Sequence, residues 1–194
     1  MHQAFIRTMN RIACWIFILF MVFCGCETPS GTLPQSNSKD ADAVAAMQAV
    51  QRTFDGLGAH DSVAIATVVL PDANFQRWAA DSIGIWRTVN MSGNAFISRL
   101  GQPGPAYLER TWEASVRIDG DVAVFTAPYD FWVEQSCSHC GIDVITLIRS
   151  AALDSEFRGW RIASLTYTVD ARGESDCRAR FAGMPASPFP TAEE

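Results

Sequence analysis

The feature that most constrains this chain is the turn Asp119-Gly120, set between two long runs of strand-forming residues, 107–118 and 122–133. Asp-Gly between such runs is a strong hairpin signal. Read as a two-residue turn, it puts Ile118 opposite Asp121 and hands the register outward. Val116 then faces Ala123, Ala114 faces Phe125, Trp112 faces Ala127, Arg110 faces Tyr129 and Leu108 faces Phe131. Side chains alternate along a strand, so all of these share one face. The other face carries Glu109, Glu113, Ser115, Arg117, Asp130 and Trp132 and is more polar. The apolar face is expected to pack on helices and the polar one to meet solvent or a partner. A slip of one residue exchanges the two sets.

Two further strands follow at 141–149 and 160–169, joined by a polar loop over 150–159. Upstream, Asp40 or Asp42 can cap a helix whose buried stripe is Val44, Met47, Val50, Gln51 and Phe54, ended by Gly56 and Gly58. A second helix is expected over 62–69, stopped by Pro71, then an irregular stretch or short strand over 72–77 and a strand over 83–89. A third helix over 92–100 is capped by Ser92, and Gly101-Gln-Pro-Gly-Pro105 is a loop. Helices gathered before closely spaced strands predict an α+β domain with an antiparallel sheet.

The first residues read as an address. Arg7 and Arg11 precede an apolar run over 12–23, with no acidic residue before Glu27. This is a secretory signal pattern, too short to span a bilayer comfortably. The run ends in Phe23-Cys24-Gly25-Cys26, which resembles the lipobox of bacterial lipoproteins. That resemblance implies a signal peptide over 1–25, lipidation of Cys26 and a domain anchored in the cell envelope, facing the periplasm or the exterior. The stretch 26–39, rich in Ser, Pro and polar residues, reads as a flexible linker, 40–181 as the domain and 182–194 as a disordered tail. Losing Arg7 and Arg11 would take the net charge from −6 to −8. Such an acidic chain lacks the basic face that nucleic acid requires.

The order of elements on 40–169 resembles that of the nuclear transport factor 2-like, or SnoaL-like, superfamily. The likeness is clearest in Ile118-Asp-Gly-Asp-Val-Ala-Val124 and in the closing segments HCGIDVITLIR and GWRIASLTYT. It implies N-terminal helices packed on a curved antiparallel sheet, a cone enclosing a pocket. Members of the superfamily include isomerases, cyclases and dehydratases as well as non-catalytic binding and assembly domains, so the fold does not select a function.

Candidate chemistry is sparse. On the predicted apolar face Arg110 and Tyr129 lie near Trp112, Phe125 and Phe131, a set suited to a small hydrophobic or anionic ligand. Arg110 can equally snorkel to the rim. Asp143, between Ile142 and Val144, is a general base if it points into the pocket and an ion-pair partner of Arg161 if it does not. His139 can serve as acid or base, with Tyr129, whereas His60 beside Asp61 reads as a surface or capping residue. Glu109 and Asp130 face each other on the polar side.

Cys137-Ser-His-Cys140 is a single CxxC, weak as a zinc site, and no metal or cofactor is expected. Outside the cytoplasm, Cys177 is expected to pair with Cys140 or Cys137, with Cys140 favoured. The remaining thiol is then free. The leading expectation is a non-catalytic envelope domain that binds a small molecule or a protein. An isomerase, cyclase or dehydratase is the alternative, and a homodimer through the outer sheet face, with an exposed Trp132, a third.

Overall fold

The computed structural model describes residues 35–149 and 157–190. The leader and most of the linker, including Cys26, lie outside the described residues. Helix α1 (Gln35–Ala59) and helix α2 (Ser62–Ala66) come first. Strands β1 (Val69–Ala80) and β2 (Trp86–Ser92) form a hairpin, followed by helix α3 (Gly93–Leu100). Strands β3 (Tyr107–Thr111), β4 (Ser115–Asp119), β5 (Val122–Val133), β6 (Ser136–Arg149) and β7 (Trp160–Val169) complete the sheet, and helix α4 (Glu174–Arg180) follows. The sheet runs β2-β1-β7-β6-β5-β3, with β4 beside β3 along the same edge of β5. All pairings are antiparallel except β1 with β7. This is the expected α+β architecture, helices packed on a curved, unclosed sheet.

Helix α1 starts at Gln35, within the stretch read as linker, and it seats itself differently from the predicted stripe. Val44 and Met47 are exposed, and the buried side is Asp42, Ala45, Ala46, Ala49, Val50, Thr53, Phe54 and Leu57. Alanines let the helix lie close to the sheet, and an apolar-size pattern misses them. Asp42 is no cap: it is buried and takes Arg149 at 2.8 Å and Arg158 at 2.6 Å. Burial works to raise its carboxyl, yet hydrogen bonds from Arg158 and Arg149, with their charges, hold it below the usual range. Gly56 lies inside the helix, where a Cβ would meet Ile65 Cγ1 at 2.6 Å, so its role is close packing on α2. The caps at Asp61 and Ser92 form as their sequences suggest, accepting from Ala64 N and Ala95 N.

The hairpin register departs from expectation in two steps. Asp119 pairs with Val122, so the turn residues are Gly120 and Asp121. Gly120 supplies the positive φ, at +57°, in the first central position, as a type II′ turn asks. Every partner in β4 therefore moves by two, which preserves the faces: Val116 opposes Phe125 and Ile118 opposes Ala123. The second step does not preserve them. Between β4 and β3 the chain bulges at 112–114, with Glu113 at φ +48°. The β3 register is then Glu109 with Phe131, Arg110 with Asp130 and Thr111 with Tyr129. One extra residue has exchanged the faces of β3 alone.

The bulge lies opposite Pro128. In a strand, the N–H and C=O of one residue point the same way. Pro128 O accepts from Trp112 N at 3.3 Å, so its missing N–H also points at the gap between β3 and β4, where the regular ladder is interrupted.

The principal core lies between α1, α2 and the inner face of the sheet, around Phe54, Ile65, Phe125, Ile145, Leu147 and Trp160. A second, smaller core sits on the outer face. There α4 and the segment up to Phe189 cover Trp132, with Cys140, Cys177 and Met184 buried beside it. The tail read as disordered is thus packed as far as Phe189, whose ring lies 5.6 Å from that of Trp132. The disulfide joins Cys140 to Cys177, as favoured, and Cys137 is the free thiol among the described residues.

Candidate functional site

The inner face and α1 and α3 enclose a cavity of about 690 Å³. That is within the range of small-molecule sites. Its walls are largely aromatic and aliphatic: Phe54, Phe75, Phe96, Tyr107, Phe131 and Leu165. Six side chains give it chemistry, namely Glu109, Tyr129, His139, Tyr167 and, from two further elements of its lining, Arg77 and Arg99.

Glu109 comes to this face through the bulge described above. Burial drives its carboxyl up to about 7, with a neighbouring Asp143 drawing it back and the charge of Asp130 pushing it further. Asp143 lies on the same face, opposite Ala127 and Tyr167, and is 1% exposed. Its carboxyl is held well above the usual range by burial and then by Glu109. The two groups are close enough to perturb each other, but neither oxygen of Asp143 has a partner that meets hydrogen-bond geometry. An unpartnered buried carboxylate is expensive, so the pair as a whole is biased towards holding protons, and its titration belongs to the two groups together. Asp143 stands behind the lining and Glu109 in it.

Tyr129 lines the cavity, but its hydroxyl donates to Thr168 O at 2.7 Å. Burial, with the charges of Asp143 and Glu109, raises it far from any working range. It offers a ring, not a proton. His139 packs against Tyr129 and Phe131, with centroids 5.8 and 5.1 Å away, and its Nδ1 lies 3.0 Å from Ser138 Oγ. Burial, helped by Arg172 and Arg77, pushes its imidazole down to about 4, so it is neutral at physiological pH. The hydroxyl of Tyr167, raised first by burial, has no hydrogen-bond partner among the described residues and is an uncommitted donor in the wall.

Of the five predicted ligand contacts, Tyr129 and Phe131 line the cavity and Phe125 is in the core beneath it. Arg110 and Trp112 are on the other side of the sheet, because the bulge turned β3 over. There Arg110 Nε donates to Asp130 Oδ1 at 3.0 Å, Arg110 Nη1 donates to Ala186 O at 2.7 Å, and the guanidinium lies 5.4 Å from the Trp132 ring centre. Trp112 packs edge-on against Phe181. Asp130 no longer faces Glu109, and Trp132, 1% exposed, forms no exposed patch. The exposed aromatic pair is Trp78 with Trp86, near the far end of the sheet. His60 lies at the cavity rim, its ring nitrogens 3.3 Å from Leu100 O and 3.0 Å from Pro105 O.

Arg77, Arg99 and Tyr167 were not singled out from sequence, and Glu109 was expected on the polar face opposite Asp130, not in the cavity. The signal that would have found Glu109 is Pro128: a proline within a long strand with neighbours on both sides calls for a bulge opposite it. Among the described residues, no cluster of three His, Cys, Asp or Glu side chains is arranged to hold a metal.

No protein-family model matches the chain, and no curated protein does. Solved structures do. A protein of unknown function from Mycobacterium tuberculosis is 14% identical, with a TM-score of 0.56 over 74% of this chain and 78% of that one. A nuclear transport factor 2-like protein with a cystatin-like fold from Novosphingobium aromaticivorans is 14% identical, with a TM-score of 0.56 over 78% and 97%. The β subunit of a putative aromatic-ring-hydroxylating dioxygenase from the same organism is 15% identical, with a TM-score of 0.54 over 69% and 92%. At these identities the likeness is one of fold, the nuclear transport factor 2-like cone.

Proposed function

We propose that this protein is a cell-envelope lipoprotein, anchored through Cys26, whose cone takes up a small, mainly apolar molecule. The observation that carries the binding reading is the open cavity of about 690 Å³ with a titratable carboxyl in its wall. A domain used only for assembly has no need to keep such a space open or to bury an acid beside it. Native mass spectrometry of the purified chain tests it: added mass that leaves on denaturation supports a bound ligand. A chain that carries none, and takes up none from a lipid and metabolite extract, argues for assembly instead. The anchor is tested separately by labelling with a fatty-acid analogue, which is expected to mark the wild type and spare Cys26→Ser.

One observation favours a second reading, a proton-transferring isomerase, cyclase or dehydratase. Glu109 sits at about 7, where a carboxylate is a competent base and is still half ionised at neutrality. In this reading Glu109 takes a proton from a carbon acid, Asp143 holds the companion proton, and Tyr167 or neutral His139 hydrogen-bonds the oxygen on which charge develops. Glu109 thus takes the general-base part expected of Asp143 from sequence, His139 serves as a neutral donor in place of an acid or base, and Tyr129 yields the proton-donating part to Tyr167. Deuterium uptake by an added ketone or ketoacid, lost in Glu109→Gln, would support catalysis. Binding without exchange would leave the non-catalytic reading standing.

A further inference from the structure

Among the described residues, six arginines are held by carboxylates. Arg87 pairs with Asp81, Arg110 with Asp130, Arg149 and Arg158 with Asp42, Arg178 with Glu174 and Arg180 with Asp170. Arg77 from β1 and Arg99 from α3 differ. Neither side chain has an ion-pair or hydrogen-bond partner among the described residues, and both line the cavity. Other arginines without a carboxylate, such as Arg52, Arg117 and Arg172, do not line it. An unpaired arginine is therefore no signal by itself; two of them, brought from separate elements to one cavity, are. Both are exposed, so they stand on its solvent side, and the fields of both reach the Tyr167 hydroxyl. Neither forms an ion pair with Glu109, the cavity's own acid. Opposite charges are thus kept apart across one largely apolar space, in a chain whose net charge is −6.

We propose that the cavity binds a small anion: a mainly apolar carboxylic acid, its carboxylate held by Arg77 and Arg99 and its body laid along the aromatic wall towards Glu109. The proposal rests on the small-molecule reading above and names the ligand class. Guanidinium groups match carboxylates through paired, charge-assisted hydrogen bonds. At the solvent edge they bind without the desolvation cost of a buried charge. The same arrangement orients the ligand. Its acid cannot approach Glu109 without repulsion, so the uncharged end goes in first.

The test is calorimetric titration of the purified chain with two probes of one ring system, 2-naphthoate and the neutral 2-naphthylmethanol. Naphthoate is expected to bind at least about tenfold more tightly, a difference of about 1.4 kcal/mol. The preference should fall with added salt. The double variant Arg77→Met, Arg99→Met should abolish it while binding the alcohol as the wild type does, which also shows that the variant is folded. Glu109→Gln should bind naphthoate at least as tightly as the wild type. Equal affinity for the two probes, or a preference that survives the double variant, overturns the anion assignment and leaves the pocket reading intact. Failure of both probes to bind overturns both.

Discussion

Asp130 and Asp143 lie on adjacent strands, β5 and β6, and are almost equally hidden, 0% and 1% exposed. Their circumstances are opposite. Asp130, on the outer face, receives two nitrogens of Arg110 and is sealed by the tail. Asp143, on the inner face, has no hydrogen-bonded partner, and the charged group beside it is another acid, Glu109. Glu109 and Arg110 are consecutive residues, so one step along β3 separates the unsatisfied acid pair from the satisfied ion pair. The outer face uses its buried charge to fix the chain's own end in place. The inner face leaves its charge unanswered beside an open space. A buried polar group without a partner is where a ligand or a reaction belongs.

The sharpest way to break this contrast is to remove Arg110. Arg110→Met leaves Asp130 buried without a counterion and is expected to cost about 3–5 kcal/mol. Asp143→Asn removes a desolvated acid that has no cation to lose and should be neutral or mildly stabilising at pH 8. Urea denaturation of both variants compares them directly. Equal losses would mean that the two sites are not different in kind.

The disulfide ranks next. Cys140 and Cys177 are 37 residues apart in sequence, and the chain-entropy argument gives such a link about 4 kcal/mol. Cys177→Ser should lose up to that much, and it should also free Phe181 and Phe189 from the outer core. Limited proteolysis is expected to cut the variant after 170 while sparing the cone, and an intact tail would show that side-chain packing suffices to hold it.

Much of this was legible in the sequence, and what was not has identifiable causes. Strands β5, β6 and β7, the cap at Ser92 and the Cys140–Cys177 link follow from alternation, capping chemistry and the cysteine pairing expected of an exported chain. Helix α4 and the packed tail did not announce themselves, because ESDCRAR is polar and holds its place through one cysteine and later aromatics. The site failed at a single point. A bulge with no glycine, carried by Glu113 at positive φ, reversed β3 and exchanged Arg110 for Glu109. Alternation is a relative rule: it propagates faithfully from the turn until one extra residue enters, and then every later assignment is inverted. Tyr129 and Phe131, on β5 where no such residue enters, keep the inward face that the turn assigns and line the cavity.

The smallest effect tests the electrostatics of the inner face alone. Glu109, raised to about 7 when folded, keeps a proton that the unfolded chain has released above about 4.3. Its contribution to stability is complete below that unfolded value and is lost as pH rises through 7. His139, lowered to about 4, does the reverse: its contribution is complete above about 6.5 and is lost as pH falls towards 4. Between pH 5 and 6 the two slopes oppose each other, each about 1.4 kcal/mol per pH unit at most. Asp143, also raised, adds to the Glu109 side. Stability should therefore tilt in opposite senses in two variants. Relative to the wild type, Glu109→Gln gains with rising pH over this window, because the falling contribution is gone. His139→Gln loses with rising pH, because the rising contribution is gone. Urea midpoints at pH 5.0, 5.5 and 6.0 suffice to read both signs. Parallel curves for all three proteins would mean that the cavity is wetter than its walls imply, and that the carboxyl pair titrates as it would in water.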